Sequence, residues 1–277
     1  MFVNDRLVYL QLQKTGCTHV ARLLAELIGG EQVGKHNRLP PQFAAGNRLV
    51  VGSVRNPWDW YVSLWAYGCE GRGGLAARLT SGFTLRGLGS LDQPLRLARG
   101  IAYELGRPRS AWSRVYADVE DPRLFREWLG MIHDPRHRHA LGKQYANSPM
   151  SAFGGFFTHR YACLYGRDLA ALESGATATP EGLSAWLEQD SVLDRTIRME
   201  HLESDLLDVL RLCGFELGDE QLRALWSAQR TNYSSRRNEL AYYYDAASIE
   251  LVGARDRYIV RKYGYRPPAV SLRGGRS

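Results

Sequence analysis

Three residues of this chain combine side-chain types that suit a phosphate-like anion: Lys14, Arg55 and Ser63. A lysine supplies a mobile positive charge, and an arginine guanidinium offers a fork of N–H donors that matches the oxygens of a phosphate group. A serine hydroxyl adds one further donor. The sequence therefore predicts an anion-binding site, provided that the surrounding elements bring these side chains together.

Lys14 lies in a short loop, residues 13–19, between a predicted strand and a predicted helix. Residues 7–12 form a mostly apolar run, which is typical of a buried strand in a parallel sheet. Apolar residues then recur at helical spacing over 20–28, and a pair of glycines ends the helix. A loop in this position presents free backbone N–H groups at a helix N-terminus.

The same loop carries hydroxyl groups at Thr15 and Thr18, which add donors to the backbone N–H groups. Together with Lys14 they predict a phosphate cradle. The cradle is not of the nucleoside-triphosphate type, which needs a lysine after its glycines and then a hydroxyl that holds magnesium. Here Lys14 precedes Gly16.

Arg55 follows a second predicted strand, the β-branched run 48–54. Asn56 and Pro57 form an N-cap and first-turn pair, so a helix is predicted to begin there. Ser63 lies seven residues past Asn56, close to two helical turns, and returns to the same face. Arg55 and Ser63 are therefore expected to converge on one anion.

Four apolar residues recur on this second helix at helical spacing. A packed core stripe is the favoured interpretation, and a platform for an adenine or sugar ring is the alternative. The residues are Trp58, Tyr61, Val62 and Trp65.

The two motifs, in this order, resemble those of sulfotransferases that use 3′-phosphoadenosine 5′-phosphosulfate (PAPS). The run Lys-Thr-Gly-Cys-Thr at 14–18 resembles their 5′-phosphosulfate loop, in the variant of the carbohydrate (Golgi-type) branch and its bacterial relatives. Gln13 stands where that loop usually has proline. Residues 55–63 resemble the 3′-phosphate motif, and the matching residues are Arg55, Asn56, Pro57 and Ser63.

The resemblance implies transfer of a sulfuryl group from PAPS to an acceptor hydroxyl, with a glycan or glycolipid as the expected acceptor and no metal ion. Lys14 would stabilise charge on the leaving oxygen, by analogy with phosphoryl transfer. Arg55 and Ser63 would hold the 3′-phosphate. The implied donor-binding loop residues are Lys14, Thr15, Gly16, Cys17, Thr18 and His19.

The resemblance also implies a base, because the family takes its proton acceptor from a segment at about this distance after the loop. His36 lies there and is a residue type that accepts a proton near neutral pH. Near the end of the chain, Arg236 and Arg237 are candidates for further cations at the 3′ side of the nucleotide.

The implied fold is α/β, a P-loop-kinase-like three-layer arrangement with a central parallel sheet flanked by helices. A single domain is expected over 1–269, with a glycine-rich insertion on the acceptor side over 68–150 and a disordered basic tail over 270–277. The other predicted elements are strands at 33–41, 161–166 and 194–202 and helices at 125–132, 180–189 and 206–213.

Three histidines, His133, His137 and His139, raise the possibility of a metal site. Two arginines, Arg136 and Arg138, lie among them and would repel a cation, so a basic loop is the preferred interpretation.

The composition allows one large core, since 44% of the 277 residues are hydrophobic. The net charge of +7 favours acidic partners, among which a nucleotide, nucleic acid and an anionic glycan all qualify. The four cysteines show no paired spacing, so reduced thiols and a cytoplasmic location are expected. No secretory leader and no membrane-spanning run are visible.

Two alternatives to a sulfotransferase remain open. A P-loop nucleotide kinase would share the fold but should carry a magnesium-holding hydroxyl after a Gly-Lys pair. A non-catalytic, basic, polyanion-binding protein would explain the charge but not the arrangement of Lys14, Arg55 and Ser63. We therefore expect a carbohydrate-type acceptor and no nucleic-acid partner.

Overall fold

The computed structural model describes residues 1–44, 46–82, 106–228 and 238–269. These residues form an α/β structure around a mixed sheet of five strands, in the order β3-β1-β2-β4-β5. The strands are β1 (Phe2–Val3), β2 (Leu7–Leu10), β3 (Glu31–Gln32), β4 (Leu49–Val54) and β5 (Arg195–Arg198).

Helices connect the strands and follow them in the chain. The helices of the first part are α1 (Cys17–Ile28), α2 (Pro41–Ala44), α3 (Pro57–Cys69), α4 (Gly74–Thr80), α5 (Arg109–Arg114), α6 (Pro122–His133), α7 (Arg138–Leu141) and α8 (Lys143–Asn147). Those of the second part are α9 (Phe156–Tyr165), α10 (Pro180–Gln189), α11 (Leu202–Leu212), α12 (Asp219–Ser227), α13 (Leu240–Tyr243), α14 (Ala246–Arg255) and α15 (Arg257–Tyr263).

Three strands of the sheet are parallel. Strand β4 pairs with β2 on one side and with β5 on the other, with Leu7 opposite Leu49 and Val51 opposite Arg195. The carboxyl ends of β2, β4 and β5 therefore meet at one edge of the sheet, which is where ligands bind in many open α/β sheets.

The expected parallel sheet is wrong for the two remaining strands. Strand β1 is antiparallel to both β2 and β3. A tight turn causes the reversal: the N–H of Asn4 donates to the carbonyl of Leu7 at 2.9 Å, and the N–H of Arg6 donates to the Asn4 side chain at 3.1 Å. Such a turn can connect only antiparallel strands.

The central strands are buried on both faces. In β2, Leu7 and Tyr9 belong to a core with α1 and α11, while Val8 and Leu10 belong to the core built by α3, α6 and α9. This alternation follows from the period of two along a strand. The predicted stripe of Trp58, Tyr61, Val62 and Trp65 is fully part of the second core, so the core interpretation is confirmed.

The predicted strand at 33–41 is wrong. The strand comprises Glu31 and Gln32, the Val33 N–H donates once more to the Met1 carbonyl at 2.8 Å, and the chain then leaves the sheet before α2 begins at Pro41. Gly34 and His36 have φ angles of 66° and 59°, which lie outside the region that strands occupy.

The predicted strand at 161–166 is also wrong, because these residues lie in or just after α9. The helix extends back to Phe156, and eight of its ten residues are buried. A helix that is apolar nearly all round leaves no amphipathic period to distinguish it from a buried strand.

The remaining predicted elements are confirmed with small shifts at their ends. Strand β5 stops at Arg198 because Met199–His201 form a 3-10 turn that leads into α11. The predicted basic loop around the three histidines is wrong: His133 ends α6 and is buried, and α7 contains His139.

The described part of the 68–150 region packs into the main core rather than onto its surface. Leu75, Leu79, Trp112 and Trp128 share one buried cluster with Trp60 of α3. Residues 83–105 of this region and the expected tail at 270–277 lie outside the described residues.

All four cysteines are free thiols, as predicted. Within the described ranges, every helix is too short or too polar to cross a bilayer.

Candidate active site

The carboxyl edge of the three parallel strands carries the predicted site. The loop containing Lys14 follows β2 and leads directly into α1. Arg55 follows β4, immediately before α3. The topology alone therefore places the two motifs side by side, because β2 and β4 are neighbours.

The loop backbone has the shape of an anion-binding turn. Lys14 and Gly16 have φ angles of 63° and 69°, and Thr15 lies between them. Backbone that alternates in handedness in this way forms concavities that bind anions. Gly16 caps α1 without a side-chain hydrogen bond, and the first intrahelical bond is from the Val20 N–H to the Gly16 carbonyl at 3.0 Å. The helix N–H groups before Val20 therefore have no intrahelical acceptor.

A buried hydrogen-bond network supports this loop from below. The Thr15 hydroxyl donates to the Leu12 carbonyl at 2.8 Å and lies 2.6 Å from the Ser53 hydroxyl. The Tyr9 hydroxyl lies 2.7 Å from Ser53 on its other side. Thr15 is fully buried, so its hydroxyl holds the loop in place. Contact of Thr15 with the donor stays a prediction.

A second support comes from α3. The indole N–H of Trp60 donates to the carbonyl of Gln13 at 2.7 Å. This bond restrains the loop from outside.

The Lys14 ammonium group lies over the ring of Tyr67 in α3, 3.9 Å from the ring centroid. Partial burial and the nearby charge of Arg55 lower the pKa of Lys14 to about 8, with Arg72 adding to the effect and Glu70 opposing it. The lysine is therefore mostly charged at neutral pH, but it loses its proton in a range that enzymes commonly experience.

Arg55 connects the two motifs. Its Nε donates to Asp59 Oδ2 at 2.7 Å, and an Nη atom donates to the carbonyl of Lys14 at 3.3 Å. Ser63 is buried on α3 at 5% exposure, and Tyr67 follows it by one helical turn. Ser63 thus faces the same side of α3 as the ring that Lys14 covers. Joint contact of Arg55 and Ser63 with one anion stays a prediction.

Lys35 and His36 approach the cradle from the segment after β3. The Lys35 ammonium donates to the Thr18 hydroxyl at 2.9 Å, at the first turn of α1. His36 Nδ1 lies 2.8 Å from the carbonyl of Gln11, the residue just past β2. Since a carbonyl only accepts, Nδ1 donates, and Nε2 of the neutral ring is left as a proton acceptor.

The environment of His36 keeps its ring neutral. Partial burial lowers its pKa, and the positive charges of Lys35 and Arg160 act in the same direction, while the bond to Gln11 opposes them. A histidine in this state is a competent general base at neutral pH.

Two loop residues have buried side chains. The Cys17 thiol is buried, and burial raises its pKa, which makes it a poor nucleophile. The His19 ring is also buried, with Nδ1 lying 3.3 Å from the guanidinium of Arg22. The candidates Arg236 and Arg237 lie outside the described residues.

Three further residues of the site were not identified from the sequence. Tyr67 follows Ser63 by four positions, so helical spacing was an available signal. Glu200, just after β5, accepts the Asn56 N–H at 2.7 Å and the Tyr265 hydroxyl at 3.0 Å, which fixes the turn after Arg55. Arg160 showed no sequence pattern that marked it as a site residue, because the residues that follow it, 161–166, were predicted to form a strand.

The chain matches no family model, and comparisons with curated proteins and with solved structures also find no match. The geometry itself therefore has to indicate the chemistry. It combines a backbone concavity at a helix N-terminus, lysine and arginine side chains around it, and an imidazole with a free acceptor nitrogen. Such a site can bind a phosphate-like group and accept a proton beside it.

Proposed function

We propose that this protein is a sulfotransferase that moves a sulfuryl group from PAPS to an acceptor hydroxyl. One observation gives the proposal its main support. Among the described residues, Lys14 and His36 are the two non-glycine residues with a positive φ angle. Strained backbone of this kind tends to occur at functional sites, and these are the two residues that the sequence resemblance marks as catalytic.

The donor would occupy the carboxyl edge of the parallel strands. Its 5′-phosphosulfate would lie on the concavity formed by 14–18, and its 3′-phosphate would lie against Arg55 and Ser63. The contact between the Arg55 guanidinium and the Lys14 carbonyl supports this arrangement, because it brings the two phosphate motifs together. The parallel order of β2, β4 and β5, with helices on both faces, supports a P-loop-kinase-like three-layer fold.

The transfer step uses His36 and Lys14. His36 Nε2 takes the proton of the acceptor hydroxyl as the new oxygen–sulfur bond forms. The bond between sulfur and the bridging oxygen breaks, and the negative charge that develops on the 5′-phosphate is stabilised by Lys14 and the loop N–H groups. The products are the sulfate ester and adenosine 3′,5′-bisphosphate. Lys14, Lys35 and Arg55 supply the positive charge, so the mechanism involves no metal ion.

We propose a carbohydrate or glycolipid hydroxyl as the acceptor, on the resemblance of 14–18 to the carbohydrate branch. A P-loop kinase is the main competing function. It is disfavoured because the hydroxyl of Thr15, next to Lys14, is committed to Leu12 and Ser53 instead of facing a ligand.

Ligand-induced thermal stabilisation tests the proposal. Adenosine 3′,5′-bisphosphate should raise the unfolding temperature, whereas ATP with magnesium should not. The opposite pattern would support a kinase. Stabilisation by heparin alone would support a polyanion-binding protein.

An Arg55→Ala variant makes the same test specific to the 3′ side. Loss of a charged hydrogen bond is worth roughly 1.5–3 kcal/mol, so its affinity for adenosine 3′,5′-bisphosphate should fall about tenfold or more. Its affinity for adenosine 5′-phosphosulfate, which lacks the 3′-phosphate, should change little. Equal losses for the two ligands would contradict the assigned role of Arg55.

A further inference from the structure

Arg160, on helix α9, is a half-buried arginine that forms no ion pair with a described carboxylate. Its guanidinium lies over the ring of Phe156, 4.8 Å from the centroid. The Nε–H group is buried and has no hydrogen-bond partner. In the part of the chain that the structure describes, no carboxylate pairs with this guanidinium.

The segment that carries His36 runs along the end of the same helix. An Nη atom of Arg38 donates to the carbonyls of Gly166 and Arg167, each at 2.7 Å. This places His36 near α9, close enough for the charge of Arg160 to lower the pKa of the imidazole.

The other charges that act on this region are also positive. Arg78 of α4 lowers the pKa of Arg160, after the larger effect of burial. Arg160 and Arg38 both lower the pKa of the Cys163 thiol, although burial outweighs them and raises it to about 12. Three arginines on separate elements thus add positive charge around α9.

This arrangement is unfavourable for the protein alone. A half-buried cation loses part of its hydration, which costs free energy unless it is paired, and the buried Nε–H group without an acceptor adds to the cost. Phe156 compensates only in part, through its ring face. Unsatisfied groups of this kind call for an explanation, and an anionic ligand supplies both the missing charge and the missing acceptor.

We propose that Arg160 binds an anionic group of the acceptor molecule, either a carboxylate or a sulfate ester, and so presents a neighbouring hydroxyl to His36. This inference rests on the proposed sulfotransferase function and narrows its acceptor to negatively charged carbohydrates. Arg160 is a positioning residue in this scheme, because it contacts the acceptor without touching the reacting atoms.

Binding of matched methyl glycosides tests the inference without turnover. Methyl β-D-glucuronide, methyl β-D-glucoside 6-sulfate and uncharged methyl β-D-glucoside are titrated by NMR into wild type, Arg160→Gln and Arg167→Gln, each saturated with adenosine 3′,5′-bisphosphate. Arg167 is an exposed arginine seven positions further on and serves as the control.

In wild type and in Arg167→Gln, one of the charged glycosides should bind about tenfold or more tightly than the uncharged one. Arg160→Gln should lose that preference. Its unfolding temperature should stay level or rise, since an uncompensated half-buried charge has been removed, whereas a purely structural arginine would leave a less stable protein. Equal affinities for charged and uncharged glycosides in wild type would overturn the inference.

Two further outcomes separate the possible failures. Inorganic sulfate that binds as tightly as the charged glycosides would indicate a free-anion site and overturn the assignment to an acceptor. Failure of adenosine 3′,5′-bisphosphate to bind wild type would overturn the sulfotransferase proposal and the acceptor assignment with it. If the bisphosphate binds and Arg160→Gln keeps the preference for charge, only the role of Arg160 is overturned.

Discussion

Lys14 and His36 both have lowered pKa values, but they need opposite protonation states. In the proposed mechanism, Lys14 acts as a cation and His36 as a neutral base. Proton loss from Lys14 sets an upper pH limit, and proton gain by His36 sets a lower one. The free enzyme should therefore be most active between these limits, and kcat/KM is the quantity that reports them.

For Lys14, we expect kcat/KM to fall as the pH rises through about 8, because burial and Arg55 bring its pKa to that value. Lys14→Arg, which stays charged, should remove this alkaline decline. Lys14→Ala should lower kcat more than donor affinity, because charge on the leaving oxygen develops only in the transition state. A variant that kept kcat and lost only affinity would contradict the role.

For His36, we expect kcat/KM to fall on the acid side at a pH below 6.5, because the folded-state pKa lies under its ordinary value. His36→Ala should reduce transfer by roughly 10²–10⁴-fold and abolish this acid limb. Binding of adenosine 3′,5′-bisphosphate should stay within a few-fold.

His139→Ala, at an exposed histidine, is the matched control and should leave the rate profile unchanged. Transfer by His36→Ala at nearly the wild-type rate would move the base to another residue, with Glu70 tested next. Arg160→Gln gives a further check, because loss of its charge should shift the acid limb toward higher pH.

At the scale of the elements, the turn between β2 and α1 depends on Gly16. Its φ angle is 69°, and a Cβ atom placed there would lie 2.2 Å from Met199 Sδ, on the turn that follows β5. Two separate costs therefore act on any larger residue: left-handed backbone and collision with Met199.

We expect Gly16→Ala to destabilise the protein by more than Gly264→Ala, as measured by urea denaturation. Gly264 has a similar left-handed backbone, with φ 65° and ψ 30°, but no atom within 4 Å of the added Cβ. Its substitution should lower the free energy of unfolding only by the cost of left-handed backbone, about 1–2 kcal/mol. Gly16→Ala combined with Met199→Ala should recover part of the extra loss, since the two side chains would otherwise collide. Equal costs at the two glycines would show that Met199 moves away freely.

Much of this element-scale organisation was predictable from the sequence. The strand over 7–12, the helix after the Lys14 loop and the start of α3 at Asn56 all follow from local patterns, and each is confirmed. Asn56 caps α3 as expected, accepting the Trp58 N–H at 3.0 Å.

The errors have tertiary causes. Helix α9 is buried nearly all round, so no period marked it as a helix. The prediction of a strand at 33–41 was wrong because His36 adopts left-handed backbone. A tertiary hydrogen bond to the Gln11 carbonyl helps to fix this conformation. The inward orientation of the Thr15 hydroxyl depends on Ser53, a residue 38 positions away. Contacts at such distances leave no trace in a local pattern.

At the scale of the whole molecule, a buried polar cluster joins four helical segments behind the site. The Tyr61 hydroxyl donates to Asp256 Oδ2 at 2.8 Å and lies 3.0 Å from His133 Nε2. Asp256 also accepts the Thr158 hydroxyl and N–H. Burial raises the pKa of Asp256 to about 6 and lowers the pKa of His133 to about 4.

These two shifts act on stability with opposite signs between pH 4 and 6. In this range native Asp256 retains a proton that the unfolded chain has lost, so its contribution to stability falls as the pH rises. Native His133 lacks a proton that the unfolded chain holds, so its contribution rises over the same range. The two slopes largely cancel.

We therefore expect Asp256→Asn to reveal the pH dependence of stability that His133 contributes. Its free energy of unfolding should increase with pH between 4 and 6 more steeply than that of wild type, by up to about 1.4 kcal/mol per pH unit for one proton. Chemical denaturation at a series of pH values measures both slopes. Parallel curves for the two proteins would show that the cluster does not titrate in this range.

The position of Met199 also makes the candidate site sensitive to oxidants. Its half-buried thioether packs directly against Gly16, the residue that shapes the cradle. Conversion to the sulfoxide would add a polar oxygen where the loop leaves no room. Brief peroxide treatment should therefore weaken binding of adenosine 3′,5′-bisphosphate to wild type, while Met199→Leu, with similar volume and no sulfur, should resist it. Methionine sulfoxide reductase should restore binding, which would make donor affinity in this protein dependent on the redox state of a single side chain.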